Sequence, residues 1–312
     1  MGRKQRSTGI LLVPSTGVER VDVNTLAFSL RRMYLVRRLL LFLMNLAKYI
    51  SVFNIGLQNT FVYRWNYFLR ALFALIPLAG TVFLWRAIFQ EPGGKGFGGY
   101  DYGSMIYYYL LTILVSNLVT PTEDDWQIAA DIREGQINSF LTKPLNYLGY
   151  RTGIFLASRL VYTTVTIIPI ALIFFYFRSY LRLPSDVVTY FLSISSLIMA
   201  AFIQFFITYA LAMMAFWILE ISTIVFIVYS FEYFLGGQMF PVDIMPIGVQ
   251  AVMKWLPFYY ELFCPIAVFL GRLQGIELLQ ALTIQAGWLF VSLAVAQLMW
   301  KRGLGHYQAV GG

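Results

Sequence analysis

The chain has 312 residues, of which 59% are hydrophobic, 18% aromatic and only 12% charged. With a mean hydropathy of +0.69, that composition excludes a soluble domain of this size and describes a polytopic membrane protein. The formal charge of +8 then points to basic loops held against anionic lipid rather than to nucleic acid, and one Cys (Cys264) and one His (His306) exclude a disulfide framework and argue against a metal site or a Cys/His nucleophile.

Residues 1–47 form a basic extension, expected to be partly disordered and partly amphipathic. Met1 to Asn24 lack strong periodicity and the apolar core of a secretory signal. Arg31, Arg32, Arg37 and Arg38 then alternate with Met33, Leu35 and Leu39 to Met44, a pattern suited to a membrane surface; Met33 and Met44 are alternative starts. Tyr49 to Tyr67 is a second amphipathic stretch, expected to lie in the interface. The first span is read as Phe68 to Phe89, with Arg70 and Arg86 near its ends and a kink at Pro77 and Gly80. The Gly-Gly-Lys-Gly at 93–96 in the following loop is no phosphate cradle, because no Ser or Thr follows the lysine.

The second span runs from about Met105 to Thr120, bent by Pro121. Glu123, Asp124 and Asp125 are read as a solvated helix end rather than a metal site, since no further ligand converges on them. Asp131 to Arg151 is the longest polar interruption between apolar blocks outside the N-terminal region. It mixes charges of both signs, returns Ile132, Ile137, Phe140 and Leu141 at helical intervals, and is punctuated by Gly135 and Pro144. Such a stretch suits a short surface helix offering one face to a partner.

The third span is Gly153 to Phe177. Residues 187–234 are apolar over 48 positions, about twice a bilayer core at ~1.5 Å per residue, and must fold back. Glu220 places the turn at Trp217 to Glu220, giving spans Val187 to Phe216 and Ile221 to Phe240. Glu232 falls in the outer part of the latter. It is a candidate intramembrane functional residue, although an interfacial carboxylate facing water or a partner helix is the plainer reading. Leu235-Gly236-Gly237-Gln238 looks like the signature of ABC ATPases, but it ends a membrane helix in a chain with no Walker A sequence, so that reading is rejected. Met239 to Gly275, with Pro241, Pro246, Pro257 and Pro265, is wrong for a straight crossing. The sixth span is Leu278 to Trp300.

Ile132-Arg133-Glu134-Gly135 and Leu141-Thr142-Lys143-Pro144 carry a resemblance to a family: the permease subunits of type-2 ATP-binding-cassette (ABC) exporters have a similar Arg-Glu/Asp-Gly turn and Leu-x-x-Pro between their second and third membrane helices. The likeness extends, more loosely, from about Lys48 to the C-terminus, giving a permease domain over 48–312. It implies an all-α polytopic membrane protein with six transmembrane helices, an N-terminal interfacial elbow helix, a cytoplasmic coupling helix and outer-face re-entrant helices. The coupling residues would be Asp131, Ile132, Arg133, Glu134, Gly135, Gln136, Phe140, Leu141, Lys143 and Pro144, and the re-entrant segment would be marked by Gly236, Gly237, Pro241, Pro246 and Pro257.

Counting Lys and Arg supports one orientation. With the N-terminus inside, 17 lie on the cytoplasmic side and six outside, which places both termini and the docking stretch in the cytoplasm of a cell (inner or plasma) membrane. The expected function is an ATP-driven exporter subunit with no catalytic residues, no cofactor and no metal. ATP would be bound by a separate ABC ATPase subunit. The other partners would be a second permease copy or related permease and membrane lipids, with no nucleic acid. Tyr107 to Tyr109, Phe174 to Phe177, Phe202, Phe205 and Phe206 suit a hydrophobic or amphiphilic cargo. The alternative is an ion-gradient-driven secondary transporter, which calls for ionisable groups at mid-depth and often for repeated halves.

Overall fold

The structure, a computed structural model, describes residues 46–90, 98–121 and 124–307. The chain divides into two compact units, Met1–Lys48 and Tyr49–Gly312, and all but three of the described residues belong to the second. The readings of Met1 to Asn24, of the basic block around Arg31 to Arg38, of the glycine-rich loop at 93–96 and of Glu123 lie outside the described residues.

Every regular element among the described residues is a helix. Five are long and apolar enough to cross a membrane: Arg64–Gln90, Tyr102–Arg133, Tyr147–Tyr176, Val187–Phe216 and Gly275–His306. In chain order the helices are α1 (46–62), α2 (Arg64–Phe73), α3 (Leu75–Gln90), α4 (Tyr102–Val119), α5 (Asp124–Arg133), α6 (Ile137–Leu141), α7 (Tyr147–Tyr176), α8 (Val187–Ala212), α9 (Ser222–Leu235), α10 (Ile247–Met253), α11 (Pro257–Glu261), α12 (Phe263–Phe269) and α13 (Gly275–His306).

The amphipathic stretch from Tyr49 breaks earlier than its pattern predicts. α1 ends at a turn at Tyr63 and a new helix begins at Arg64. One stripe of α1 is inside, with Val52 and Thr60 buried and Gly56 close to Ala157 of α7, while Ile55, Phe61 and Val62 are exposed. The first span is interrupted at Ala74, between α2 and α3, rather than at Pro77 or Gly80. Pro77 is still its cause: lacking an N–H, it cannot bond the carbonyl of Phe73 one turn earlier, and the ladder opens there. Gly80 sits within an unbroken helix.

α8 is the axis of the bundle. Ala200, Ile203, Phe205, Tyr209 and Ala212 along it are buried, and it packs against α4, α5, α12 and α13. Its far end passes through a 3-10 turn (Met213–Phe216) into non-helical chain at Trp217 to Glu220, the place where the lone charge of the long apolar block predicts a reversal. The Ser222 amide donates to Glu220 Oε1 at 3.0 Å, which starts α9 and holds that carboxyl below its ordinary range.

α9 has 14 residues and stops at Leu235, short of the expected Phe240. Tertiary contacts end it. Gly237 has φ +89, a conformation open to glycine, and the Tyr108 and Tyr109 hydroxyls donate to the carbonyls of Gly237 and Met239, each at 2.6 Å. Those bonds commit two of the tyrosines that sequence patterning offered to a cargo. Beyond the stop, Pro241 precedes a 3-10 turn, Pro246 precedes α10, and Pro257 opens α11 at its first turn, where a missing N–H costs nothing. Gln285 of α13 secures this folded-back segment. Its Nε2 donates to the carbonyls of Tyr260 and Ser196, both at 2.9 Å, and its Oε1 accepts from the Ser196 hydroxyl at 2.8 Å.

At the end of the bundle where the α3–α4 connection meets this segment, the Tyr100 hydroxyl donates to Asp243 at 3.0 Å. Arg272 pairs with the same carboxylate at 3.4 Å and lies 3.8 Å over the Tyr100 ring. Burial pushes the Asp243 carboxyl above its usual range, and the guanidinium opposes it.

Candidate functional site

The docking stretch is a braced corner. α5 carries Asp131 and Ile132 to its end, Gly135 turns the chain at φ +73, α6 makes little more than one turn, and the Asn146 side chain caps α7 by accepting from the Gly149 amide at 3.1 Å. Behind the corner, Arg151 forms an ion pair with Asp131. The Tyr147 hydroxyl donates to Asp131 Oδ2 at 2.7 Å and accepts from Arg151 Nε at 3.0 Å, while Arg151 Nη1 reaches Gln127 at 3.4 Å. The Tyr147 ring stacks on Trp300 of α13 at 4.9 Å and meets Phe140 of α6 edge-on at 5.2 Å.

The ten residues proposed for coupling therefore divide. Asp131 is half-buried in the brace and Ile132 is buried. Arg133 turns sideways, donating to the Leu219 carbonyl at 3.2 Å and approaching Glu220 at 3.9 Å, which ties the corner to the α8–α9 reversal. Glu134, Gln136, Leu141, Lys143 and Pro144 are exposed along one crest, with Gly135 and Phe140 partly covered among them. The Lys143 ammonium sits 5.0 Å from the Phe140 ring centroid. Chemically the crest is a surface of mixed charge with one exposed leucine, and it has no grouping suited to bond-making.

Asp124 and Asp125 overturn the reading of a solvated helix end, being 2% and 3% exposed. They occupy the first turn of α5, where the helix dipole favours a carboxylate. Asp125 accepts from the Tyr229 hydroxyl at 3.1 Å, and the buried Arg159 bears electrostatically on Asp124. Arg159 also donates to the Thr120 and Asn117 carbonyls at the end of α4, which serves as a C-terminal cap across the Pro121 bend. Partners 35 and more positions away in the sequence are what local patterning misses.

Glu232 is half-buried on α9. Its carboxylate accepts from Gln204 Nε2 of the neighbouring α8 and lines a cavity of about 10 Å³ with Ser116, Val119, Thr120, Gln238, Glu261 and Leu262. Glu261, a residue the sequence does not single out, is 1% exposed, and neither of its carboxylate oxygens has a hydrogen-bond partner. The one signal for it was its position inside an otherwise apolar run, Leu256 to Leu270. A larger groove of about 690 Å³ opens between α3, α4 and α7, lined mainly by Leu75, Leu78, Val82, Phe83, Ile173 and Tyr176, with Arg86 at its edge.

The architecture of long apolar helices, a braced polar corner and a proline-opened, folded-back segment is now joined by direct comparison. The sequence profile of the ABC-2 family transporter protein matches residues 75–311. No curated protein matches the chain. The profile takes in every long helix from α3 onward, together with the corner and the folded-back segment, and the chain belongs to the ABC-2 family of transporter proteins.

Proposed function

We propose that this chain is the membrane-spanning subunit of an ATP-driven exporter, coupled to a separate ABC ATPase through the crest from Glu134 to Pro144. The observation that carries the reading is the brace behind that crest. A surface that must pass movement from a soluble motor into a helix bundle has to be stiff, and here the Asp131–Arg151 pair and the Tyr147 ring join it to α7 and α13. In this reading α6 is the coupling helix and α1 the interfacial elbow. α9 is the remaining crossing of six: its 14 residues span about 21 Å, with the segment to Phe240 completing the depth. α10 to α12 re-enter from the outer face, and both termini are cytoplasmic in a cell membrane, as the distribution of Lys and Arg supports.

The chain works with a second copy of itself or a related permease, and the apolar groove beside α3 suits a hydrophobic or amphiphilic cargo or lipid. ATP is held by the partner, because no lysine in this chain is followed by Ser or Thr as a Walker A sequence requires. The ABC-2 match favours this reading over transport driven by an ion gradient.

The test is Gly135→Pro. Proline cannot adopt φ +73, so the turn must rebuild while the apolar spans are untouched. We expect normal membrane levels, loss of ATPase co-purification and loss of transport together with transport-coupled ATP hydrolysis. Wild-type transport by a normally inserted Gly135→Pro protein would remove the coupling role from this corner.

A further inference from the structure

We propose that Glu232 and Glu261 form an internal proton-binding site, with Glu261 protonated at neutral pH. Three observations carry it. The half-buried Glu232 and the buried Glu261 line one small cavity of about 10 Å³, room for about one water and too little for a hydrated cation. Glu261 is 1% exposed with both oxygens unpartnered, so it is a buried polar group aimed into that space with nothing from the protein to stabilise a charge. Finally, among the described residues neither glutamate forms an ion pair.

The groups that face the pair from each packed element are neutral or already engaged. α4 contributes Ser116 and Thr120, α8 contributes Gln204, and the loop after α9 contributes Gln238. Tyr229, one turn before Glu232, gives its hydroxyl to Asp125 of α5. Arg159 of α7 donates to the carbonyls of Asn117 and Thr120 and bears on Asp124.

Two ionised carboxylates in such a place would cost many kcal/mol with no compensating cation, whereas a proton removes most of that cost. Gln204 presents its Nε2 to Glu232, a donor suited to a carboxylate and opposed to a bound metal ion. Glu232 is thus the acceptor anchored by an amide, and Glu261 holds the proton, with space for a single water between them. The pocket lies where α4, α8, α9 and α11 meet, so any parting of these helices that admits water would let the proton leave. This site does not depend on the coupling role of the crest.

The experiment is infrared spectroscopy of the full-length protein in nanodiscs, in H2O and D2O at neutral pH. Wild type should show a deuterium-sensitive carboxylic-acid carbonyl band that is lost in Glu261→Gln. Glu232→Gln should keep the band but shift it, since the partner sharing the cavity has changed; this second variant gives a reading even if Glu261→Gln does not accumulate. The proposal is overturned if the wild type has no such band, if the band survives Glu261→Gln, or if Glu232→Gln leaves its position unaltered. Stabilisation by NaCl over choline chloride that disappears in Glu261→Gln would overturn it too, by assigning the pocket to a metal cation.

Discussion

The corner at Asp131 and the pocket at Glu261 are both places where this largely apolar bundle buries carboxylates, and they resolve the cost in opposite ways. Asp131 has a full counter-charge, because Arg151 reaches it from one turn into α7 and Tyr147 bridges the two. Glu261 has none: its neighbours are an amide-anchored carboxylate, side-chain amides and hydroxyls. A paired charge makes a fixed strut, since separating the partners strands an ion in a dry environment. An unpaired carboxyl makes a site whose charge follows its surroundings. The same residue class therefore stiffens one region and leaves the other able to exchange a proton.

The sharpest way to break this contrast is to remove the counter-charge. Arg151→Leu strands Asp131 in the brace and should cost about 3–5 kcal/mol, read as a large fall in thermal midpoint, whereas Glu261→Gln replaces a neutral acid by a neutral amide and should cost about 1 kcal/mol or less. Equal losses in the two variants would mean that the two regions do not differ in charge state. A smaller effect is expected on the exposed side of the corner. Glu134→Lys alters a solvent-facing charge whose one recorded bond is from Gln136 at 3.0 Å, so the midpoint should hold while affinity for the ATPase falls about five-fold. Unchanged affinity would move the contact off Glu134. The mildest perturbation concerns placement. Cysteines at the exposed Ser139 and Lys254 should both leave transport intact, the first labelled by an impermeant thiol reagent only in inside-out vesicles and the second only from outside. The buried native Cys264 should contribute little background. Labelling of both from one face would overturn the proposed orientation.

Much of the fold was legible without coordinates because the signals were local. The span Val187 to Phe216 matches α8 and its 3-10 extension, and the reversal at Trp217 to Glu220 follows from one charge in a long apolar block. Pro77 lies three residues after the interruption at Ala74, and the prolines at 241, 246 and 257 each stand at the start of a short helical segment. The candidate corner was visible too, since Gly135 and Pro144 bracket a charged interval between apolar ones. Its inner and outer faces were not, because both kinds of residue are polar in the string and only the pairing of Asp131 with Arg151 sorts them.

What composition, periodicity and turn residues determine about this protein is therefore its class: a helical membrane chain, where its longest apolar helices lie, and which polar interval separates them. These follow from the fixed length of a helix across a bilayer and from the cost of unpaired backbone within it, both readable along the chain. What tertiary structure alone decided is the state of each buried polar group. Asp124 and Asp125 are interior because Arg159 and Tyr229 come to them across the fold, α9 stops at Leu235 because tyrosines of α4 take the next carbonyls, and Glu261 meets Glu232 because Gln285 holds the neighbouring Tyr260 carbonyl in place. Each depends on partners tens of positions apart in the sequence. Whether a charge is compensated is a property of three-dimensional neighbours, and no local pattern encodes it.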